Sequence, residues 1–236
     1  MGSLDGRVIA VAGAGGGLGP SVCAELYGAG ASVAMTDVAQ ETLDDLATEL
    51  GLDDARCDGR AVDLLDEDAA RAWADALEER FGKVDGLVHL VGGWRGGEPI
   101  ESASMDDYEW LHDLLVRTVQ RTSRAFHGAL SRSGRGRFVL VSSAQAQAPE
   151  GTNAAYAATK AAAETWTLAL ADSFAGSGAT ANIVVVNAIL TPAMREKNPE
   201  KEYPSFTSAE DIASAIAYLC SDRAAKMNGK RLALYP

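Results

Sequence analysis

Tyr156 and Lys160 stand four residues apart in Tyr-Ala-Ala-Thr-Lys, ahead of an alanine-rich stretch. On a helix that spacing puts both side chains on one face. A free tyrosine ionises near pH 10 and is a poor acid or base at neutral pH. An ammonium beside it favours the phenolate and brings proton exchange nearer the working range. Ser143 lies 13 residues before Tyr156, at the end of Phe-Val-Leu-Val-Ser-Ser, where its hydroxyl could hold a substrate oxygen beside the phenol.

A second group of residues sits near the N-terminus. Gly13, Gly17 and Gly19 follow an apolar run, spaced Gly-x3-Gly-x-Gly, with Leu18 where the commoner GxGxxG has its last glycine. Glycine lets the backbone take positive φ and lets a phosphate approach the amides. Pro20 suits the first turn of the following helix, whose free N–H groups attract an anion. Asp37 comes 18 residues after Gly19. A carboxylate there can accept both hydroxyls of an adenosine ribose, and it repels a 2′-phosphate. No Arg or Lys occurs in the glycine turn to welcome one, so the pattern predicts NAD(H) over NADP(H). Asp63 and Leu64 end the next apolar run, where a side chain could meet the adenine. Taken singly, each motif has a plain structural reading: a ligand-free turn, a solvated aspartate, a solvated Tyr-Lys pair.

These residues need strands to end beside one another. Short β-rich runs fall at 8–12, 32–36, 59–62, 86–91, 137–141, 181–186 and 231–234. Helical periods lie between them, such as Ala70, Trp73, Leu77 and Phe81 closed by Gly82, and Ile212, Ile216 and Leu219 opened by Ser208. Several strands are apolar throughout, as when both faces are covered. The alternation predicts an α/β fold, one doubly wound domain over residues 1–236 with a parallel sheet. Ligands then bind beyond the carboxyl ends of the strands.

Composition narrows the classes. The 236 residues are 47% hydrophobic and 23% charged, an ordinary globular balance. A net charge of −12 argues against a nucleic-acid partner or an anionic membrane surface. No apolar run spans a bilayer, and no signal peptide is expected at the N-terminus. Cys23, Cys57 and Cys220 are scattered and odd in number, which predicts free thiols and a cytoplasmic setting. His89, His112 and His127 share no ligand spacing, so no metal is expected, and Trp73 and Trp166 fall in helical periods as core residues.

The glycine turn, Asp37, Ser143 and Tyr156-x3-Lys160, in this order, resemble the short-chain dehydrogenase/reductase family over essentially the whole chain. The resemblance implies a Rossmann-like, seven-stranded parallel sheet in order 3-2-1-4-5-6-7 with helices on both faces. It implies Tyr156 as general acid/base and Lys160 as the group that binds the nicotinamide ribose and lowers the tyrosine pKa. Ser143 would position the substrate, and hydride would pass to or from the nicotinamide. Thr191 matches the threonine that holds the carboxamide. A homo-oligomer, dimer or tetramer, is implied through helices around 111–130 and 157–174.

The chain departs from the family pattern in three places. Asn-Asn-Ala-Gly is replaced by His89-Leu90-Val91-Gly92, although Val91, Gly92 and Gly93 still allow close approach to a cofactor. Leu115 stands where the family has an asparagine that anchors a water, with His112 and Thr118 one turn to either side. The Pro-Gly stretch before Thr191 is missing. Gly-Gly-Trp-x-Gly-Gly and Leu-Thr-Pro-Ala-Met-Arg-Glu-Lys are similar to the dihydropteridine reductase branch, which keeps Tyr-x3-Lys and lacks the helix asparagine.

The proline- and charge-rich segment 191–207 falls where the family has a substrate lid. Trp94, Met194, Tyr203 and Phe206 are the apolar residues expected to line the substrate pocket. The leading expectation is an NAD(H)-dependent oxidoreductase acting on a carbonyl or alcohol of a small organic molecule. A dihydropteridine-type reductase is the second, and a cofactor-binding sensor or a non-redox protein the third.

Overall fold

The computed structural model describes residues 2–235. In chain order the main elements are β1 (Val8–Ala12), α1 (Gly19–Gly28), β2 (Ser32–Asp37), α2 (Gln40–Glu49), β3 (Cys57–Ala61), α3 (Glu67–Phe81) and β4 (Gly86–His89). Then come α4 (Met105–His112), a π-helical segment (Asp113–Arg117), α5 (Thr118–Arg132), β5 (Arg137–Ser143), α6 (Ala154–Ser173) and β6 (Thr180–Val186). The chain finishes with β7 (Ala188–Leu190), α7 (Pro192–Lys197), β8 (Phe206–Ser208), α8 (Ala209–Cys220) and β9 (Arg231–Ala233).

Seven parallel strands form one sheet in the order β3-β2-β1-β4-β5-β6-β9. This is the expected spatial order, with β9 in the place of the seventh strand. Successive residues of β1 face opposite layers. Ile9 and Val11 join the cluster containing Val22, Leu26, Leu43, Ile212 and Ile216, beneath α1, α2 and α8. Ala10 and Ala12 join the cluster of Trp73, Leu77, Phe126 and Phe138, beneath α3, α5 and α6. The small alanines leave room on that side for Trp73 and Phe126, which pack edge to face at 4.8 Å.

Some boundaries differ from expectation. Strand β3 begins at Cys57, earlier than the predicted 59, because Asp58 enters the sheet held by Arg60 and Arg80 at 2.9 Å each. Strand β4 stops at His89 rather than 91, where glycine-rich chain follows. Strands β7 and β8 were not expected; they pair in parallel, Ala188 with Phe206 and Leu190 with Ser208. The segment expected to form a lid runs between these two strands and carries α7. Trp166 is only partly buried at the margin of the core, its indole N–H donating to Ser123 Oγ at 2.9 Å.

Candidate active site

The carboxyl ends of β1, β2, β4, β5 and β6 open onto one cleft of about 690 Å3. Its floor at one end is the glycine turn. Gly13 has φ +82°, and a Cβ there would lie 2.7 Å from Val91 N, so the turn passes hard against the chain leaving β4. At Gly19 a Cβ would lie 1.8 Å from Ala14 O, which leaves no room for any side chain where α1 begins. The cap residue Leu18 offers α1 no side-chain acceptor; Gly19 N donates to Gly16 O at 2.9 Å and Val22 N to Leu18 O at 3.2 Å, which leaves the N–H groups of Gly17, Leu18 and Ser21 without a protein partner among the described residues. This is the cradle a phosphate fits. Asp37 Oδ2 accepts from Gly15 N at 2.9 Å and Oδ1 from Val38 N at 2.8 Å, which fixes the carboxylate beside the turn. Asp63 and Leu64 line the same end. Across the cleft, a Cβ on Gly17 would come within 3.1 Å of Thr191 Cγ2.

The other end holds the candidate chemistry. Strand β5 carries Ser143 to its last position, and α6 presents Tyr156 and Lys160 beside it. Ser143, Tyr156, Lys160, Thr191, Val91, Gly92, Gly93 and Trp94 all line the cleft. Lys160 is buried, and its Nζ donates to the Val141 carbonyl at 3.1 Å. That ammonium lies 5.8 Å from the centre of the Tyr156 ring. Burial draws the Lys160 pKa down to about 8, and the Glu164 carboxylate opposes the change. Burial pushes the Tyr156 phenol up, and the Ser143 hydroxyl opposes that. In the free protein the phenol is thus raised by loss of water, and the lowering expected from Lys160 is not seen.

Other residues fall outside the cleft walls. Gly19 is buried behind the turn. Met194, Tyr203 and Phe206 do not line the cleft; Tyr203 packs on Phe206 at 5.1 Å and donates to Met194 O at 3.4 Å. Trp94 does line it, 58% exposed, with its indole N–H donating to Asn153 Oδ1 at 3.2 Å. Leu115 is buried in the interior and Leu114 faces the cleft instead. The π-helical segment adds a residue to the turn and so rotates the facing position by one. Thr118 reaches the cleft and donates to Leu114 O at 2.6 Å, whereas His112 does not line it. Sequence reasoning missed Leu114, Asn187 and Ile189 as cleft residues, and no motif marks them.

A family model described as Enoyl-(Acyl carrier protein) reductase matches residues 13–234. The chain belongs to the short-chain dehydrogenase/reductase family. D-threitol dehydrogenase of Mycolicibacterium smegmatis is 29% identical, the alignment covering 98% of this chain and 92% of that protein. The 7alpha-hydroxysteroid dehydrogenase of Escherichia coli K12 is 27% identical, over 97% and 92%. A solved short-chain type dehydrogenase/reductase from Mycobacterium ulcerans superposes with a TM-score of 0.89 at 26% identity, covering 98% of this chain and 89% of its own. As a short-chain dehydrogenase/reductase, the protein is an oxidoreductase of the nicotinamide-dependent kind.

Proposed function

We propose that this protein is an NAD(H)-dependent oxidoreductase that moves hydride between the nicotinamide and the carbonyl or alcohol carbon of a small organic substrate. The observation that carries the reading is the meeting of Ser143, Tyr156 and Lys160 at one end of a cleft whose other end is Asp37. When bound, the cofactor supplies the hydride donor or acceptor. Lys160 holds the ribose hydroxyls with its remaining N–H groups. Ser143 holds the substrate oxygen, and Tyr156 gives that oxygen a proton on reduction or takes one on oxidation. Thr191 holds the carboxamide end of the cofactor.

Asp37 supports NAD(H). A second negative charge about 4 Å away would be repelled by about 1–4 kcal/mol, between water-like and near-surface screening. Lys160 is the single cation among the described residues lining the cleft, and it stands at the opposite end. Trp94 at the substrate end favours a flat ring, which keeps a dihydropteridine-type substrate as the second reading.

The test is fluorescence titration with NADH and with NADPH, followed by turnover on a panel of carbonyl compounds and a quinonoid dihydropterin. NADH is expected to bind more tightly than NADPH, and Tyr156→Phe to bind NADH normally while losing at least 100-fold in turnover, the low end of general acid–base contributions of about 10²–10⁴. Wild-type turnover in that variant would remove Tyr156 from the chemistry.

A further inference from the structure

One helical turn beyond Lys160, on the stripe of α6 that carries Tyr156, stands Glu164, 1% exposed. Carboxylates are almost never buried this deeply unless paired. Its Oε2 accepts from Arg231 Nε of β9 at 2.6 Å and from Gln147 Nε2 at 3.4 Å. Its Oε1 is buried with no protein partner. An apolar side chain would fill this place without leaving an oxygen unpaired. Arg231 accounts for one oxygen of this carboxylate; the Lys160 ammonium, one helical turn away on the same stripe, is the other cation near it.

We propose that Glu164 is a positioning residue that keeps Lys160 protonated within the buried site, with Arg231 as the counter-ion that holds Glu164 in place. The inference rests on the reading of Lys160 as the cofactor-binding ammonium. Among the described residues Lys160 makes no ion pair; its Nζ is turned to the Val141 carbonyl. Glu164 therefore acts through its field rather than by contact, which leaves the remaining ammonium hydrogens free for a ligand. The groups that face Lys160 are Tyr156 and Glu164 on α6, the neutral His89 imidazole from β4, and Val141 and Ser143 of β5. Of these, Glu164 alone is a carboxylate. Arg231 tempers that charge from β9 and is itself partly exposed.

The consequence is a dependence of cofactor affinity on pH. An ammonium donates strongly to a hydroxyl and a neutral amine only weakly. Affinity for NADH is therefore expected to fall as pH rises through the Lys160 pKa. Glu164→Gln removes the opposing charge and should move that fall down by about one pH unit, given the size of a screened charge pair at helical-turn distance. At pH 6 the two proteins should agree within about twofold, because Lys160 is charged in both; at pH 8 the variant should bind several-fold more weakly. Glu164→Asp should lie between. Arg231→Met keeps Glu164 and removes a positive neighbour, so its fall should move the opposite way, to higher pH.

The experiment is NADH fluorescence titration from pH 6 to 9.5 on the wild-type protein and these three variants, with circular dichroism to match their folds. Opposite displacement by Glu164→Gln and Arg231→Met supports the proposal. If wild type binds NADH but the variant curves superimpose, or differ by one constant factor at every pH, Glu164 is a structural tie between α6 and β9 and the proposal falls alone. If Glu164→Gln does not fold, an Arg231→Met curve identical to wild type overturns the proposal by itself. A wild-type protein that binds no NADH at any pH overturns the cofactor reading and this proposal together.

Discussion

The His89 imidazole at the end of β4 is completely buried, and neither ring nitrogen has a protein partner. Burial, with the Lys160 ammonium adding to it, draws the His89 pKa down from 6.5 to about 3. The ring is therefore neutral in the fold, while the unfolded chain takes a proton below pH 6.5. Stability contributed by the neutral ring is present above that pH and is lost as pH falls from 6.5 towards 3. Between pH 7.5 and pH 5 the loss amounts to about 2 kcal/mol for this one group, at about 1.4 kcal/mol per pH unit. His89→Leu removes both the proton and the unpaired nitrogens. Urea unfolding should show the fall in the wild type and a much flatter profile in the variant. An undiminished fall would place the acid sensitivity elsewhere. The same burial shapes Lys160 and Tyr156, so three ionisable side chains around the cleft are governed by loss of water before any charge partner.

Elements explain how much of this was legible from residue order. The central strands announce themselves because both faces are covered: β1 is apolar throughout, and β5 and β6 carry the unbroken apolar runs Phe138–Val141 and Ile183–Val186. Helix α3 is capped at both ends, and its C-terminal cap, Gly82, was the one legible from residue order. Asp66 Oδ1 accepts from Asp68 N and Ala69 N at 2.9 and 3.1 Å, and Gly82 closes the helix at φ +76° with its N–H on Glu78 O. A Cβ on Gly82 meets nothing within 4 Å, so Gly82→Ala isolates the cost of left-handed backbone. That variant should lose about 1–2 kcal/mol in chemical denaturation and keep its NADH affinity; unchanged stability would mean the turn reshapes freely. Strands β7 and β8 were illegible for a physical reason. Each is three residues long, and neither pairs until chain 18 residues away returns to it. The exchange of Leu114 for Leu115 was illegible too, because the π-helical segment is a choice of hydrogen-bond ladder that composition does not signal. In the site, the ordered motif of Gly13, Asp37, Ser143, Tyr156 and Lys160 was readable. The burial of His89 and Glu164 was not, since it depends on which layers close over the sheet.

The whole molecule divides into two apolar layers separated by the sheet, and the cleft lies where both layers stop at the strand ends. One layer also encloses the thiols. Cys23 on α1 and Cys220 on α8 are fully buried, and Cys57 on the edge strand β3 is nearly so. Burial pushes Cys57 up to about 11 and Cys220 up to about 12, and raises Cys23 as well. The thiolate is the reacting species, so these sulfurs are silent towards alkylating reagents while the layer is closed. The protein thus carries its own opening clock. Cys57 should be labelled first, through fraying of the sheet edge, and Cys23 and Cys220 together at the slower rate of global unfolding. Mass spectrometry after timed iodoacetamide exposure would count these events. Three thiols modified at one common rate would mean that the edge and the interior open as a single unit.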